Sequence, residues 1–252
     1  MIAVVFSRDP VARGVARILG LSGLLTSSGL EVRKAGEVVY AAHGGDSTEF
    51  EQGWEEALAE AGALHLIFIS RHEMAKPRPM LTAHAPGAGG GVSMAYAELK
   101  SWLLRRICAE APDGYKCAME ATHHGPNTAK LSATFVEVGS SEAQWGDERA
   151  LEALASAVAD LASFKPSGAP VVMSVGDLHY SLLTDEVLRG EMDLGHVIRK
   201  DLATPSLIDL AFGKHVARPR KIVFYSKSLR NPLRREVAEA LRRLPAEVEP
   251  RG

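Results

Sequence analysis

Short apolar runs alternate with segments of helical periodicity along most of the chain. The run at residues 2–6 is continuously apolar, as in a strand buried on both faces of a sheet, and residues 64–70 predict a second buried strand. Asp9-Pro10 follows the first run as an N-cap and a first-turn proline, which predicts a helix to about Gly20. Further strands are predicted at 116–122, 134–138, 170–175 and 221–226, and further helices at 92–108, from Ser141 onward and at 231–244. The alternation predicts an α/β fold, a mixed sheet with helices on both faces.

The stretch 73–91 interrupts this alternation. It contains Pro77, Pro79 and Pro86 and ends in the glycine-rich run 87–91, so a long loop is predicted. Loops of this length in compact domains are usually functional or disordered. No clean linker divides the chain. Residues 1–252 are therefore expected to form one compact α/β unit, in which any second subdomain would be discontinuous.

The composition is that of an ordinary globular protein. Of the 252 residues, 46% are hydrophobic and 24% charged, which excludes disordered, collagen-like and coiled-coil chains. Two cysteines, Cys108 and Cys117, are too few for a disulfide framework, so we expect reduced thiols and a reducing compartment. No apolar run approaches the ~18–20 residues that span a bilayer, and the first residues do not resemble a signal peptide. A cytoplasmic protein without a membrane partner is expected.

The charge is unevenly distributed. The basic C-terminal segment 214–252 holds 11 Lys and Arg against 4 Asp and Glu, although the whole chain has a net charge of -2. Arg234, Arg235 and Arg242 belong to the predicted last helix. They form either its solvated face or a contact surface for a polyanion.

Several histidines follow predicted strands, and this repeated placement is the strongest chemical signal in the sequence. His72, His123, His124 and His179 come after predicted strands, whereas His84 lies in the predicted loop and His196 in Gly195-His196. Histidine is the commonest general base near neutral pH and the commonest metal ligand. The spacings match no zinc signature such as His-Glu-x-x-His. A metal site assembled from distant segments and a metal-free site with histidine as base both remain open.

Two turns have the form of an anion site. Residues 137–142 place small residues between a strand and a helix N-terminus, where free N–H groups favour a phosphate, a carboxylate or an oxyanion. Ser141 and Gln144 also fit a capping box for a long helix, which would explain the turn without a ligand. Residues Ser7–Asp9 form a similar turn, and there Asp9 and Pro10 are accounted for as caps.

Seven motifs, taken together and in this order, resemble the archaeal and plant type of D-aminoacyl-tRNA deacylase. They span roughly residues 1–200, and the fourth and fifth are specific in combination. They are Ser7-Arg8-Asp9-Pro10-Val11-Ala12, Ser70-Arg71-His72, Leu81-Thr82-Ala83-His84-Ala85-Pro86-Gly87, Glu120-Ala121-Thr122-His123-His124-Gly125-Pro126, Glu137-Val138-Gly139-Ser140-Ser141-Glu142, His179-Tyr180 and Gly195-His196. Ala88 departs from the family pattern, which usually has Asn after the Pro-Gly pair.

The resemblance implies hydrolysis of the ester that joins a D-amino acid to the 3′ end of tRNA. It also implies a monomer that acts on tRNA and not DNA, with one or two zinc ions. The implied fold is a core similar to the phosphorylase and peptidyl-tRNA hydrolase type with a smaller α+β region. We expect His123 and His124 at the catalytic centre, with Glu120 and His72 as orienters or ligands.

The other implied roles group by ligand. Zinc ligands are expected among His72, His84, His123, His124 and His179. Substrate contacts are expected from Ser7, Asp9, Gly139, Ser140, Ser141, Glu142 and His196. The tRNA phosphates would lie on Arg234, Arg235 and Arg242.

Three alternatives remain at this point. A hydrolase of peptidyl-tRNA or another N-blocked aminoacyl-tRNA could use the same scaffold. A nucleoside phosphorylase or phosphatase-like enzyme would bind phosphate at residues 139–141. A non-catalytic RNA-binding protein would keep its histidines for structural reasons.

Overall fold

Eleven strands in two sheets form the frame of the protein, in a computed structural model that describes residues 1–26 and 29–252. The strands are β1 (Ile2–Phe6), β2 (Glu31–Ala35), β3 (Val38–Ala42), β4 (His65–Glu73), β5 (Met80–His84), β6 (Lys116–Met119), β7 (Ser132–Ser140), β8 (Val171–Asp177), β9 (Asp193–Arg199), β10 (Lys221–Tyr225) and β11 (Glu247–Arg251). The helices are α1 (Pro10–Ile18), α2 (Gln52–Glu60), α3 (Ala97–Ala109), α4 (Glu142–Trp145), α5 (Glu148–Ala159), α6 (Thr184–Leu188), α7 (Pro205–Gly213) and α8 (Leu233–Arg242). Short 3-10 turns lie at Ser22–Thr26, Asp160–Ser163 and Ser226–Ser228.

The larger sheet is mixed. Its seven strands have the order β2-β3-β1-β4-β7-β5-β6. The strands β3, β1, β4 and β7 are parallel, whereas β5 runs antiparallel to β7 and β6 follows the direction of β5. The smaller sheet has the order β11-β10-β8-β9, and all its strands are parallel. The predicted α/β class with a mixed sheet is thus confirmed.

Helices cover both faces of the larger sheet. On one face α1, α3 and α5 pack over side chains such as Ile67, Ile69 and Val138. On the other face Leu58 of α2 packs with Leu66 and Phe68 of β4. Both faces are therefore buried along the central strands, and all nine residues of β7 are buried.

The first predicted strand and helix are confirmed. Asp9 is the N-cap of α1, and its Oδ1 accepts hydrogen bonds from Val11 N at 2.8 Å and Ala12 N at 3.3 Å. Pro10 lies in the first turn, where its missing N–H leaves no partner unsatisfied.

Three predicted elements need correction. The stretch 73–91 is not one long loop, because β5 lies within it and pairs with both β6 and β7. The helix predicted at 92–108 begins only at Ala97. The helix predicted after Ser141 is divided at Gly146 into α4 and α5, and Asp147 caps the second part. Ser141 Oγ donates to the Gln144 side chain at 2.7 Å and does not cap a backbone N–H.

The cysteines are not reduced. Cys108 near the end of α3 and Cys117 in β6 form a disulfide with a Cα–Cα distance of 6.1 Å. The sharp turn after α3 brings the two residues into the range that a disulfide requires, so the expectation of two free thiols is wrong. Separately, no helix in the described ranges combines the length and apolar character that crossing a membrane requires.

Glu55 of α2 fixes the segment that leads into β7. Its buried carboxylate accepts hydrogen bonds from the backbone N–H groups of Ala129, Lys130 and Leu131 at 2.7–2.9 Å. Removal of this acceptor leaves three N–H groups without their protein partner, and the N–H of Leu131 is buried. Hydrogen bonds to charged groups contribute about 1.5–3 kcal/mol each, and an unpaired buried donor costs more.

We therefore expect Glu55→Ala to lower the free energy of unfolding by about 3 kcal/mol or more, measured by denaturant titration. The matched control is Glu56→Ala, which removes an exposed ion pair to Lys130 and should cost no more than about 0.5 kcal/mol. Equal losses in the two variants would contradict the role given to Glu55.

Candidate active site

One face of the larger sheet changes from apolar to polar along its strands, and the candidate site begins there. On β4 the side chains that share this face are Leu66 and Phe68, followed by Ser70 and His72. On β7 the corresponding change is from Phe135 to Glu137. The site is therefore a continuation of the apolar layer under α2, and its side chains are almost as buried as that layer.

Glu137 lies at the centre of this polar area. It is paired in register with Ser70 of β4 and Thr82 of β5. Ser70 Oγ donates to Glu137 Oε1 at 2.7 Å. Because β5 runs antiparallel to β4, His72 and His84 approach Glu137 from opposite directions, each with a ring nitrogen 3.5 Å from a carboxylate oxygen.

A second carboxylate, Glu120, reaches the same place from the loop after β6. Glu120 is fully buried. His72 Nδ1 lies 3.2 Å from its Oε1, and His179 Nε2 lies 2.9 Å from its Oε2. His123 Nε2 lies 3.6 Å from Oε2. His124 completes the cluster, with Nε2 3.8 Å from Glu137 Oε1.

Backbone carbonyls fix how three of these imidazoles present their nitrogens. The Nδ1 atoms of His84, His123 and His124 face the carbonyl oxygens of Ala85, Ala121 and Gly125, respectively, at 3.3, 2.8 and 2.7 Å. A carbonyl oxygen can only accept, so each Nδ1 carries a proton. In a neutral imidazole Nε2 then has the lone pair, and all three Nε2 atoms point toward the carboxylates. Histidine ligands of metals are oriented in this way.

The cluster fits a bound cation. A nitrogen that presents its lone pair to a carboxylate oxygen cannot form a hydrogen bond with it, because neither atom carries a proton. Within the described residues both oxygens of Glu120 and Nε2 of His84 are buried without a hydrogen bond. The ligand atoms lie within 4.8 Å of one another in three groups: His84, His123, His124; Glu120, His123, His179; and His72, Glu120, Glu137. Imidazole nitrogen and carboxylate oxygen are donors that zinc prefers.

Positive charge inside the cluster, here protons on the surrounding rings, keeps both carboxylates ionised. Burial alone would raise the pKa of Glu137, but the rings of His84, His124 and His72 hold it well below its usual range. The pKa of Glu120 is also lowered, since His179 and His72 outweigh burial and the neighbouring Glu137. Both groups are therefore ionised at neutral pH.

The histidines respond differently to the same surroundings. Burial, reinforced by His84, lowers the pKa of His123 to about 3, so its Nε2 lone pair is available at neutral pH. The pKa of His124 is raised, because Glu137 outweighs the effect of burial. The pKa of His72 is raised for the same reason, by Glu137 and Glu120.

His72 is held in place on two sides. Its Nε2 lies 2.7 Å from the Tyr180 hydroxyl. Its ring packs over Gly139 of β7, where a Cβ would lie 2.7 Å from His72 Cβ. Gly139 thus provides the space for the His72 ring.

The structure brings six predicted site residues together in one cluster, namely His72, His84, Glu120, His123, His124 and His179. The other predicted contacts lie elsewhere. Ser7 and Asp9 belong to the cap of α1, where Asp9 also pairs with Arg71 at 3.0 Å. His196 is buried, with Nδ1 2.9 Å from Thr122 Oγ1 and Nε2 3.0 Å from Lys214 O.

Polar groups of the turn at residues 139–142 form hydrogen bonds within the protein. Ser140 Oγ donates to Arg78 O and accepts from Arg78 N, both at 2.8 Å. Glu142 is the first residue of α4, a helix of only four residues. Arg235 and Arg242 are exposed on α8, and Arg234 is half-buried there. The substrate and tRNA contacts assigned to these residues stay predictions.

Sequence reasoning missed the central position of Glu137 and the contact of Tyr180 with His72. The motifs predict Glu137 only as part of the turn that follows it. A signal was present, because a glutamate within an apolar strand buried on both faces needs compensation by other groups. Tyr180 gave no such signal beyond its place next to His179.

The comparisons with known proteins agree on one family. The family described as D-aminoacyl-tRNA deacylase matches residues 60–249. A D-aminoacyl-tRNA deacylase of Pyrobaculum aerophilum is 42% identical over 245 residues, covering 97% of this chain and 96% of the relative. That of Pyrobaculum neutrophilum is 44% identical over 246 residues, with 97% and 96% covered.

A solved structure shares the fold across the whole chain. It is described as a conserved protein of unknown function, with a TM-score of 0.79, 24% identity and coverage of 99% of this chain and 95% of its own. On the extent of the family match and the identity to the two Pyrobaculum proteins, the chain belongs to the D-aminoacyl-tRNA deacylase family.

Proposed function

We propose that the protein hydrolyses the ester bond of D-aminoacyl-tRNA and releases free D-amino acid and tRNA. The observation that carries this proposal is the convergence of five imidazoles on two buried carboxylates. Family membership supports the substrate class. Hydrolysis of an ester requires an activated water and stabilisation of the negative charge on the carbonyl oxygen, and it needs no protein nucleophile.

The cluster has an inner and an outer layer. His72, His84, Glu120 and Glu137 are buried. The side chains of His123, His124 and His179 are 24%, 32% and 33% exposed, respectively. The ester therefore approaches from the outer layer, and the inner layer orients the groups that it meets.

A zinc ion would be held beside Glu120 with His123 and His179 as nitrogen donors, because these three residues form one donor group. His72 would contribute from the second group that contains Glu120, together with Glu137. The chemistry that such an ion supplies is Lewis acidity, which polarises an ester carbonyl and makes a water molecule more acidic. A second ion beside His84 stays a prediction.

His124 is placed to move the proton in this scheme. Its Nδ1 donates to Gly125 O at 2.7 Å, so Nε2 has the lone pair that accepts a proton from the attacking water. The water oxygen forms the new bond to the carbonyl carbon. The bond from that carbon to the ribose oxygen then breaks, and His124 returns the proton to the ribose oxygen. Glu137 stabilises the imidazolium between the two transfers.

A paired deacylation assay tests the reaction. We expect D-tyrosyl-tRNA to be cleaved and L-tyrosyl-tRNA to decay at its spontaneous rate. A chelator should abolish the cleavage, and added zinc should restore it. If neither ester is cleaved faster than it decays alone, the proposed function fails. If cleavage persists in the presence of the chelator, the proposed reaction stands but does not depend on zinc.

A second test concerns His124. We expect His124→Ala to lower the rate of deacylation at least ~100-fold, the usual effect of a positioned base, with little change in tRNA affinity or zinc content. The control is His65→Gln, which changes a histidine that lies outside the cluster and contacts Ser132 Oγ at 2.7 Å. A His124→Ala variant with full activity would exclude the proposed base. Loss of zinc from that variant would make His124 a ligand instead.

The alternatives predict other results. A hydrolase of N-blocked aminoacyl-tRNA requires the N-acyl group that a deacylase does not need. A nucleoside phosphorylase or phosphatase would not depend on the basic segment 214–252. An RNA-binding protein without activity would keep its tRNA affinity in all histidine variants and show no turnover.

The tRNA contact assigned to α8 has its own test. We expect Arg235→Gln with Arg242→Gln to weaken tRNA binding and to reduce its salt dependence by about two charges, because each lost phosphate contact lowers the slope by about one. Arg33→Gln with Lys34→Gln on the exposed strand β2 is the charge-matched control. Equal effects would refute a specific role of α8. Monomeric state and cytoplasmic location stay predictions.

A further inference from the structure

A cavity opens beside the outer histidines of the cluster. It has a volume of about 400 Å³ and is formed by residues 87–92, 122–124, 198–199, 201–202, 204 and 206–207, which together we call the side pocket. Its walls are the glycine-rich loop 87–91, the end of β9 and the start of α7. The volume lies at the small end of the range for ligand pockets, about 300–1,000 Å³.

Most of the surface that lines the side pocket is apolar, and its two oppositely charged side chains are paired. Val92, Ile198 and Leu207 supply apolar surface. The two charged residues at its rim pair with each other, since Arg199 Nε donates to Asp201 Oδ1 at 2.8 Å. The side pocket therefore favours an uncharged group.

The hydroxyl groups of the lining also have partners within the protein. Thr204 Oγ1 lies 3.3 Å from Ser206 Oγ and accepts from Leu207 N. Thr122 Oγ1 lies 2.9 Å from His196 Nδ1. Apart from His123 and His124 at its edge, the side chains that an inserted group meets do not require a hydrogen bond from it. Such a lining accepts apolar groups of different shapes, whereas a site with unpaired polar groups rejects ligands that do not match them.

The glycine loop keeps the side pocket open. Gly87 cannot carry a side chain, because a Cβ would lie 2.7 Å from Thr122 Cγ2 and 2.9 Å from Val92 Cγ1. Gly89 and Gly90 have φ values of +60° and +78°, which favour glycine. The loop is held through the backbone of Ala88, with N donating to Asn127 Oδ1 at 3.0 Å and O accepting from Nδ2 at 2.8 Å. Alanine is therefore sufficient at position 88.

We infer that the side pocket binds the side chain of the D-amino acid in the ester substrate, with apolar and aromatic side chains as its preferred ligands. This inference rests on the proposed function. An ester carbonyl at His123 and His124 has two groups attached, the amino acid and the terminal nucleoside. The nucleoside is the same in every tRNA and is best recognised by unpaired hydrogen-bonding groups. The amino acid varies, and the paired, apolar lining suits it.

Substrates of different size test the inference. Leu207→Trp introduces a bulky indole ring into the side pocket from the first turn of α7. Leu202→Trp does the same from a separate, exposed position on the chain. We expect each variant to lower kcat/KM for D-tyrosyl-tRNA at least about tenfold, and that for D-alanyl-tRNA less than about threefold. Leu210→Trp is the matched control, because Leu210 lies on the same helix outside the side pocket and is 37% exposed. It should change neither value.

The other outcomes overturn the inference. Equal losses for the two substrates would mean that the side pocket holds a part common to both, such as the terminal nucleoside. Unchanged kinetics in folded Leu207→Trp and Leu202→Trp proteins would mean that no part of the substrate enters it. Absence of D-ester hydrolysis by the unaltered protein is a different result, since it removes the proposed function itself.

Discussion

The burial of two carboxylates side by side is the constraint on which the site depends. Glu120 and Glu137 are buried next to the apolar layer under α2, where an ionised group costs several kcal/mol unless other groups compensate its charge. Five imidazoles surround them, and three of these are turned by backbone carbonyls so that lone pairs face the carboxylates. This arrangement is stable only with positive charge inside it, as protons or as a metal ion. Catalytic capacity and the stability of this part of the fold therefore have the same physical origin.

The mixed direction of the strands makes the cluster possible. In an all-parallel sheet, residues at the carboxyl ends of neighbouring strands meet at one edge. Here β5 lies antiparallel to β7, so His72 at the end of β4 and His84 at the end of β5 flank Glu137 from opposite sides. The site consequently lies over the sheet face rather than beyond its edge. The strand residues His72, His84 and Glu137 are thereby better fixed than the cluster residues that lie on loops.

The α/β class and most residues of the cluster could be predicted from the sequence. The arrangement of those residues around Glu137 could not. The strand 2–6 and the cap at Asp9 are predictable from the sequence because local chemistry determines both. The strand β5 is not predictable in this way, since the three prolines and the glycine run near it are typical of loops. Only its pairing with β6 and β7 makes it a strand. The disulfide was missed for the same reason, because it depends on the chain reversal after α3. Motifs identified the histidines, whereas the role of Glu137 depends on register between distant segments.

The geometry also limits where chirality can be recognised. If the ester carbonyl lies at the outer histidines and the side chain lies in the side pocket, two of the groups on the α-carbon have fixed directions. Exchange of a D for an L residue then only interchanges the α-hydrogen and the ammonium group. Discrimination must come from what the ammonium group meets in each position, since an unpaired charge is rejected far more strongly than a misplaced methylene. The side pocket itself should therefore set the preference for size and leave selection of the D configuration to the groups around the ammonium.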